Sequence, residues 1–378
     1  MRSTKKPSVA FWTSLPAPYM VDRFNAVADL GELNFEAWFL GRIAPWRKWT
    51  LDESEWRFAY RYFPAKYWRD YWWGWPGFML RPGVPDVIVQ LWHDPMFVLG
   101  AAMARMRGRS VGLYVEGPPD GWRKRTSLKQ FVKSQVIKRA DFILCPGEDT
   151  RKFVGQFRGD DSRIFCAPHP FAFDHYHGIS TRARKEERQA LREEFKLKGI
   201  TFVYVGGLWA RKGVDYLLRA FDAVRKEKEC SLLIIGDGYL QQQLRDSVKQ
   251  AGTPDVIFAG FIQKDRLPAV LAAADVFVFP TLGDTNGYVV EEAMACELPV
   301  ISTDAAGEIR VRIKEGVTGF VVPSRSSEAL AEKMRMFARG EADAASMGEA
   351  ATRSVAFKTP EWWAREFTKF IQTVSCDP

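Results

Sequence analysis

The chain has 378 residues, of which 47% are hydrophobic and 26% charged, and it carries a formal net charge of +8. This length allows about two domains of ordinary size, and the composition excludes a disordered, collagen-like or coiled-coil chain. The sequence has no apolar run of the roughly 18–20 residues that span a bilayer and no apolar stretch typical of a secretory signal peptide. Its five cysteines are scattered and form no CxxC pair, which argues against a disulfide framework or a zinc site.

Short apolar runs alternate with helical patterns along the first half, which is typical of parallel sheets. The runs that predict strands are 8–12, 86–91, 110–115, 141–145 and 163–167. A polar, basic helix is predicted over 125–139, before the fourth of these strands. The charged segment 173–198, which contains one predicted helix, is the predicted linker to a second domain.

The alternation is more regular in the second half. Strands are predicted at 201–205, 231–235, 256–259, 275–279 and 299–302, with helices over about 213–226, 239–250, 266–273 and 287–296. A terminal helix is predicted over 360–375, where Trp362 and Trp363 could pack back on the first domain. The sequence therefore predicts an α/β protein with two doubly wound domains, at 1–178 (with 360–378) and 179–359.

The first chemical motif is the segment YVGGLWARKG at 204–213, which follows a buried strand and opens a helix. Gly206 and Gly207 permit close backbone approach, and the amides at a helix start favour an anion. Arg211 and Lys212 are two cations suited to a diphosphate. The alternative is a strand-to-helix turn that carries two solvated charges.

The second motif is FPTLGDTNGYVVEEAMA at 279–295, a strand followed by a polar loop and a helix. Asp284 lies on the loop and Glu292 eight residues later in the helix, and a carboxylate suits paired sugar hydroxyls because it accepts two hydrogen bonds. The alternative is that Asp284 caps the helix and Glu292 is solvated. Because both motifs follow strands of a parallel sheet, we expect one shared nucleotide pocket at their carboxyl ends.

The second half resembles the donor domain of GT-B glycosyltransferases, specifically retaining family 4 (glycosyltransferase group 1). The matching motifs are VGGL with KG at 205–213, GDGYL at 236–240, GFI at 260–262, ADVFVFP at 274–280 and EAMA at 292–295. The first half resembles the family more weakly, at 15–25 and 167–174. The resemblance implies two Rossmann-like domains that face a central cleft, with the C-terminal helix returning to the N-terminal domain.

The resemblance implies a role for each matching residue. Lys212 with Arg211 would neutralise the diphosphate, and Arg211 is hypothesised to replace the family arginine, whose position is occupied by Gly207. Glu292 would hold the ribose hydroxyls. The remaining donor contacts would come from Gly206 and Gly207 at the phosphates, from Asp284, Thr285, Asn286, Gly287 and Tyr288 at the sugar, and from Gly260, Phe261 and Ile262 at the base. Glu116 occupies the position of a family histidine; it is a candidate acceptor-side base or hydroxyl anchor, with a buried salt bridge as the alternative.

The first half also carries the whole charge excess and most of the tryptophan. Residues 1–180 contain 26 Lys and Arg against 18 Asp and Glu, and seven of the fourteen tryptophans fall at 46–75. A basic stripe follows at Arg123, Lys124, Arg125, Lys129, Lys133, Lys138 and Arg139. Interleaved aromatic residues and cations predict contact with an anionic membrane surface. The alternative is that the tryptophans pack in the core or stack on an acceptor sugar.

The resemblance implies retaining transfer of a hexose from a UDP- or GDP-sugar to a glycan or lipid-linked saccharide in bacterial surface polysaccharide or glycolipid synthesis. We expect no metal and no other cofactor, and a cytoplasmic protein peripheral on the inner face of the plasma membrane. Alternatives are a soluble acceptor, a sugar-nucleotide epimerase or a catalytically silent scaffold. A nucleic-acid-binding protein is disfavoured because it leaves the second-half motifs unexplained.

Overall fold

The computed structural model describes residues 6–42, 51–63, 65–68, 71–92, 94–116, 127–158, 161–253 and 255–376, without the side chains of 127–130 and 376. The chain divides into two compact units, one formed by Met1–Phe171 with Lys358–Pro378 and the other by Ala172–Phe357. The sequence placed these boundaries at 178 and 359. The first boundary lies earlier because the segment predicted as a linker is helical and packs on the second unit.

The first unit is built on a parallel sheet with the strand order β3-β2-β1-β6-β7-β8-β9. Its described strands are β1 (Ser8–Thr13), β2 (Asn34–Phe39), β3 (Ala59–Tyr62), β4 (Lys66–Trp68), β5 (Tyr71–Trp73), β6 (Val87–Gln90), β7 (Ser110–Tyr114), β8 (Phe142–Cys145) and β9 (Ile164–Cys166). Its helices before the second unit are α1 (Pro18–Leu30), α2 (Pro95–Met106), α3 (Ser127–Arg139) and α4 (Glu148–Gly155). The short strands β4 and β5 form a separate antiparallel hairpin, here called the aromatic hairpin.

The second unit contains a parallel sheet with the order β12-β11-β10-β13-β14-β15. Its helices and strands in chain order are α5 (Phe173–Glu186), α6 (Arg188–Glu194), β10 (Ile200–Val205), α7 (Val214–Arg225), β11 (Cys230–Ile235), α8 (Gln241–Ala251), β12 (Val256–Gly260), α9 (Leu267–Leu271), β13 (Val276–Phe279), α10 (Val289–Ala295), β14 (Val300–Thr303), α11 (Ile309–Arg312), β15 (Gly319–Val322), α12 (Ser327–Ala338) and α13 (Ala344–Val355). The alternation of strands and helices predicted from the sequence is confirmed in both units.

Burial explains why the second unit was the easier to predict. Strand β11 is buried along its whole length and β10 along most of it, as in a parallel sheet covered on both faces. In α7, the buried positions Val214, Leu217, Phe221 and Val224 recur at helical spacing. This stripe packs against α12, which fixes the start of α7 beside the end of β10.

The strand order of the second unit reverses between β10 and β13. The chain runs outward from β10 through β11 to β12, then returns to place β13 on the other side of β10. Open α/β sheets bind ligands in the crevice at the carboxyl ends of such strands. The two chemical motifs follow β10 and β13, so the topology brings them to the same crevice.

The last helix, α14 (Pro360–Cys376), belongs to the first unit. It packs on α1 and buries Trp363, Phe367 and Ile371 in the core of that unit. The rings of Trp363 and Phe367 stack with their centroids 4.8 Å apart. The predicted return of the C-terminal helix to the N-terminal domain is therefore confirmed. None of the helices in the described residues is long and apolar enough to cross a membrane.

Candidate functional site: a nucleotide-sugar crevice in the second unit

Three glycine-bearing loops meet at the carboxyl ends of β10, β11 and β12. The Gly206 amide donates to the carbonyl of Ile235 (2.9 Å), and the Gly236 amide donates to the carbonyl of Gly260 (2.7 Å). A Cβ atom on Gly236 would lie 2.0 Å from the carbonyl oxygen of Gly206. Glycine is needed at position 236 because the two loop backbones are in direct contact. The absence of side chains there also allows a ligand to lie close to the backbone amides.

A short 3-10 turn presents the two cations of the first motif. Ala210–Lys212 form this turn, and Gly213 ends it with a φ of 65° in the left-handed region. A Cβ on Gly213 would lie 2.1 Å from the carbonyl oxygen of Pro280, at the end of β13. The amide of Leu282 donates to the carbonyl of Arg211 (2.8 Å), so the loops after β10 and β13 are joined.

The joined loops place Lys212 against Asp284. The Lys212 ammonium donates to Asp284 Oδ2, and both side chains are largely buried. Asp284 Oδ1 accepts from the Gly287 amide at 3.1 Å. Burial alone would raise the pKa of Asp284, but the Lys212 charge and hydrogen bond, the Arg211 charge and the Gly287 amide together hold that pKa below its usual value. Asp284 is therefore an ionised centre that organises both the cation and its own loop.

Arg211 completes a group of two cations around one carboxylate. Its guanidinium Nη1 lies 3.7 Å from Asp284 Oδ2 and donates to the Gly283 carbonyl at 3.1 Å. The guanidinium also lies 5.5 Å from the centre of the Trp209 ring. A Cβ on Gly207 would lie 3.0 Å from that ring, so any side chain at 207 requires a small shift of Trp209. Arg211 brings a guanidinium to this edge, where position 207 has no side chain.

Glu292 lies on α10, with partners that the sequence did not indicate. Tyr176 of α5 hydrogen-bonds to its carboxyl group, and the charge of Lys264 acts on it. Desolvation dominates these two effects and raises the pKa of Glu292 to about 7, although part of the residue is still accessible. Such a carboxyl group costs little to bury when neutral and gains by ionising when hydroxyl donors reach it.

The predicted base-binding loop follows β12. Gly260 has a φ of 75° in the left-handed region, Phe261 is exposed and Ile262 half-buried. The same loop continues to Lys264, whose charge acts on Glu292. The segment predicted to border the base and the carboxylate predicted to hold the ribose are thus neighbours. The structure joins Lys212, Arg211 and Asp284 in one group, and Glu292 with Lys264 and Tyr176 in another.

Arg312 holds the predicted sugar-binding loop from behind, and no motif indicated it. Its guanidinium forms a buried bidentate pair with Glu291. It also donates to the carbonyl oxygens of Asn286 and Gly287, at 2.8 Å for the latter. The backbone of the loop is therefore fixed by one side chain of α11. Residues 285 and 288 flank these carbonyls, with Thr285 exposed and Tyr288 half-buried.

We expect Arg312→Lys to raise the KM for the sugar donor about tenfold and to lower kcat. Lysine keeps the charge but cannot make the fork of hydrogen bonds to Glu291 and the two carbonyls. The double change Glu291→Leu with Arg312→Met should recover unfolding free energy lost in Arg312→Ala, because an apolar pair replaces a broken buried ion pair, without recovering transfer. Steady-state kinetics and thermal unfolding measure both effects. Arg310→Lys, on the same helix and exposed, is the matched control; equal kinetics in the two lysine variants would contradict the assignment.

Glu116 lies in the first unit, apart in the chain and in its unit from the other candidates. It lies two residues after the end of β7 and is half-buried, and the residues after it, 117–126, lie outside the described part of the chain. The structure therefore places it at the carboxyl end of a strand, as the sequence predicted. Its catalytic role remains a prediction.

Sequence similarity relates the chain to known families. Residues 199–339 match the family model described as glycosyl transferases group 1. Over 278 residues the chain is 30% identical to a GDP-mannose-dependent alpha-(1-6)-phosphatidylinositol monomannoside mannosyltransferase of Mycobacterium tuberculosis, covering 69% of this chain and 68% of that protein. The chain belongs to the group 1 glycosyltransferases. It is also 30% identical over 164 residues to an alpha-D-kanosaminyltransferase of Streptomyces kanamyceticus, and there the match spans 43% of this chain and only 42% of the relative.

Solved structures share the fold over almost the whole chain. HepE of Anabaena, crystallised with UDP, superposes with a TM-score of 0.76 at 15% identity and covers 97% of this chain and 100% of its own. WaaG, a glycosyltransferase involved in lipopolysaccharide biosynthesis, superposes with a TM-score of 0.67 at 17% identity, covering 94% of this chain and 98% of its own. The chain thus has an α/β fold with two parallel-sheet domains, as in the GT-B structures HepE and WaaG.

Proposed function

We propose that this group 1 glycosyltransferase is a retaining family 4 enzyme that moves a hexose from a UDP- or GDP-sugar to a glycan or a lipid-linked saccharide. The observation that carries the proposal is the meeting of Lys212, Arg211 and Asp284 at the point where the strand order reverses. Two cations against one carboxylate leave a net positive charge beside backbone loops that can approach a diphosphate closely.

The proposed chemistry follows from these charges. The bond from the anomeric carbon to the diphosphate oxygen breaks, and a bond to the acceptor oxygen forms on the same face of the sugar. The acceptor oxygen attacks the anomeric carbon directly, so no protein nucleophile is required, and its proton passes to the departing diphosphate oxygen. In this scheme Glu116 would anchor the acceptor hydroxyl and not act as the base. Lys212 and Arg211 stabilise the negative charge that grows on the diphosphate, and fixed groups of this kind are worth roughly 3–4 kcal/mol each. Glu292 accepts hydrogen bonds from the ribose hydroxyls, and the loop that begins at Asp284 holds the sugar.

The decisive experiment measures transfer or slow donor hydrolysis with a panel of UDP- and GDP-sugars, with and without EDTA. We expect one donor to be consumed, retention at the anomeric carbon in the product, and unchanged turnover in EDTA because Lys212 and Arg211 carry out the neutralisation that a divalent ion performs elsewhere. Absence of turnover with every donor would contradict the enzymatic proposal, and an inverted product would contradict retention. Loss of turnover in EDTA that Mg²⁺ restores would show a metal requirement.

We propose that the first unit meets an anionic membrane surface, on the inner face of the plasma membrane, where a lipid-linked acceptor would reside. In the aromatic hairpin, Trp68 and Trp73 are 57% and 44% exposed, and Trp75 beside it is 71% exposed. Trp56 and Trp72 of the same stretch are instead partly buried and pack against the core, so the core interpretation holds for those two rings. Residues 46–49, 69–70 and 123–125 of the predicted surface, and the side chain of Lys129, lie outside the described part of the chain.

The physical preference of the exposed tryptophan rings supports this proposal, because exposed aromatic rings prefer the bilayer interface. Two relatives, a phosphatidylinositol monomannoside mannosyltransferase and an amylovoran biosynthesis glycosyltransferase, support this setting.

We expect the protein to sediment with vesicles of phosphatidylcholine and phosphatidylglycerol, and to be released as the salt concentration rises. The double change Trp68→Ser with Trp75→Ser should weaken vesicle binding about tenfold or more, because two exposed rings lose their interfacial contact. Phe357→Ser, an exposed aromatic residue of the second unit, is the control and should bind as the wild type. Binding that neither salt nor the double change weakens would contradict a hairpin contact.

A further inference from the structure

A groove with a volume of about 470 Å³, here called the α2–α3 groove, lies between α2 and α3 of the first unit. Val111 and Leu113 of β7 form its floor and are fully buried. Its walls come from Val98, Ala101, Ala102 and Arg105 of α2 and from Phe131, Val132, Gln135, Val136 and Arg139 of α3, with Ala140 after it. The volume falls within the range of roughly 300–1,000 Å³ that is usual for small-molecule sites. Most of these lining side chains are apolar.

Large apolar side chains at the α2–α3 groove are exposed. Phe131 and Val132, which line the groove, are 60% and 46% exposed, and Leu99 and Met106 are exposed elsewhere on α2. Single exposed apolar residues are ordinary, but a group of them around an apolar opening marks an interaction site. The shape and the lining indicate a hydrocarbon ligand.

The charges on the two helices indicate that this hydrocarbon is attached to an anion. Neither α2 nor α3 contains an aspartate or a glutamate. Arg139 is exposed at the groove, and its Nη1 donates to the neutral Gln135 Oε1 at 2.8 Å. Arg105 pairs with Asp141 at 3.1 Å, and Lys138 is exposed beside Arg139. The rim is therefore positive, with Arg139 able to turn toward a phosphate.

The charge of the groove distinguishes a lipid from a second copy of the chain. Helix α2 packs against β5 of the aromatic hairpin and against Gly77–Leu80 with one face and lines the groove with another. A second copy of the chain, docked symmetrically, would place two basic rims against each other without a carboxylate from either helix, which costs free energy.

We infer that the α2–α3 groove binds one acyl chain of an anionic phospholipid, with the phosphate of that lipid against Arg139 and Arg105. The inference rests on the proposed contact between the first unit and a membrane and adds a specific site to it. Burial of methylene groups supplies the affinity for the acyl chain, and the arginines select a lipid with a net negative headgroup. The groove thereby ties the enzyme to individual lipid molecules and not only to a charged surface.

The test uses the full-length protein and lysophosphatidylglycerol, a single-chain anionic phospholipid, below its micelle concentration, with binding measured by calorimetry. We expect one site per chain. Ala102→Trp fills the groove from an exposed helix position and should weaken this binding at least about tenfold. Arg139→Gln should weaken it less and should abolish the preference over lysophosphatidylcholine. Val317→Trp, at an exposed turn of the second unit, should bind as the wild type.

The outcomes separate this inference from the proposed function. Ala102→Trp should retain the thermal shift that the nucleotide-sugar donor produces, and that shift reports on the second unit alone. Equal lipid binding by the wild type and Ala102→Trp would overturn the site. Equal affinity for lysophosphatidylcholine, which has the same phosphate but no net charge, would overturn the selection for an anionic headgroup, and equal affinity for palmitate would overturn the phospholipid as the occupant. Loss of activity in all forms with lipid binding intact would count against the transferase proposal only.

Discussion

Lys212→Ala lowers the rate of sugar transfer by about 10²–10³-fold at saturating donor, the largest effect that we expect from one substitution. The negative charge on the diphosphate increases as its bond to the sugar breaks, and a fixed cation in a partly dry site stabilises that charge without reorganising. Arg211 is more exposed than Lys212 and lies farther from Asp284, so it replaces only part of this effect. Kinetics at saturating and at low donor concentrations measure the loss in kcat separately from any change in KM.

The same substitution leaves Asp284 buried with a weaker partner, which lowers stability. Breaking a buried ion pair costs about 3–5 kcal/mol, so Lys212→Gln and the double change Lys212→Met with Asp284→Leu are measured in parallel. The double variant should unfold at a temperature near that of the wild type and still lack transfer. Lys226→Ala removes an exposed lysine that also pairs with an aspartate, Asp222, and should leave turnover unchanged. Turnover within a factor of three of the wild type in a folded Lys212 variant would refute its role.

Glu292→Gln lowers kcat/KM for the donor by at least about 100-fold and also stabilises the protein without ligand above pH 7. A glutamine loses the two charge-assisted hydrogen bonds to the ribose hydroxyls, each worth about 1.5–3 kcal/mol. The substitution also removes the free-energy cost of ionising a buried carboxyl group, which lowers the stability of the wild type above pH 7. The opposite signs of the two effects distinguish a binding carboxylate from a structural one, since a structural carboxylate would lose stability and activity together.

The pH dependence of Glu292 follows from its raised pKa. The folded-state pKa of about 7 lies above the ordinary value of 4.5, so the stability associated with the protonated group is fully present below about pH 4.5 and is lost as the pH rises through about 7. Donor binding favours the ionised carboxylate, so the wild-type KM should fall between pH 6 and pH 8. The Glu292→Gln variant should show neither change and should gain about 1–3 kcal/mol of unfolding free energy at pH 8.

Thermal unfolding and donor titrations across this pH range check both statements. Glu349→Gln is the control, because Glu349 is an exposed carboxylate of α13 that pairs with Arg353. Its stability and kinetics should follow the wild type. A KM in Glu292→Gln that varies with pH as in the wild type would assign the titration to a different group.

Much of the fold could be predicted from the sequence because buried strands leave a direct pattern. Strands such as β11 and β13 are continuous apolar runs, and their bounds were predicted within one or two residues. Strands β2, β3 and β15 were missed. All four residues of β3 are exposed at the sheet edge, whereas β2 contains a polar residue at every second position of its first half and β15 is only four residues long. The aromatic hairpin was missed because its rings do not alternate between a buried and an exposed face: Tyr67, Trp68 and Trp73 are exposed, whereas Trp72 packs against the core.

The candidate site was predictable by residue type but not by pairing. Lys212 and Asp284 are 72 residues apart, and they meet only because β13 lies beside β10 in the sheet. Assigning Asp284 to the sugar alone therefore missed its ion pair with Lys212. Tyr176 and Arg312 were missed altogether, because each comes from a helix without a recognisable motif and acts through tertiary packing.

The return of the C-terminal helix has a consequence for the chain as a genetic unit. The amide of Phe171 donates to the carbonyl of Lys358 at 3.0 Å, so the two points where the backbone leaves and re-enters the first unit are bonded neighbours. Residues 172–357 are thus a continuous insertion with adjoining ends. We therefore expect that residues 172–357 can be replaced by the corresponding segment of a relative while both junctions keep their positions in the first unit. Truncation before residue 360, in contrast, would remove Trp363, Phe367 and Ile371 from the core of that unit.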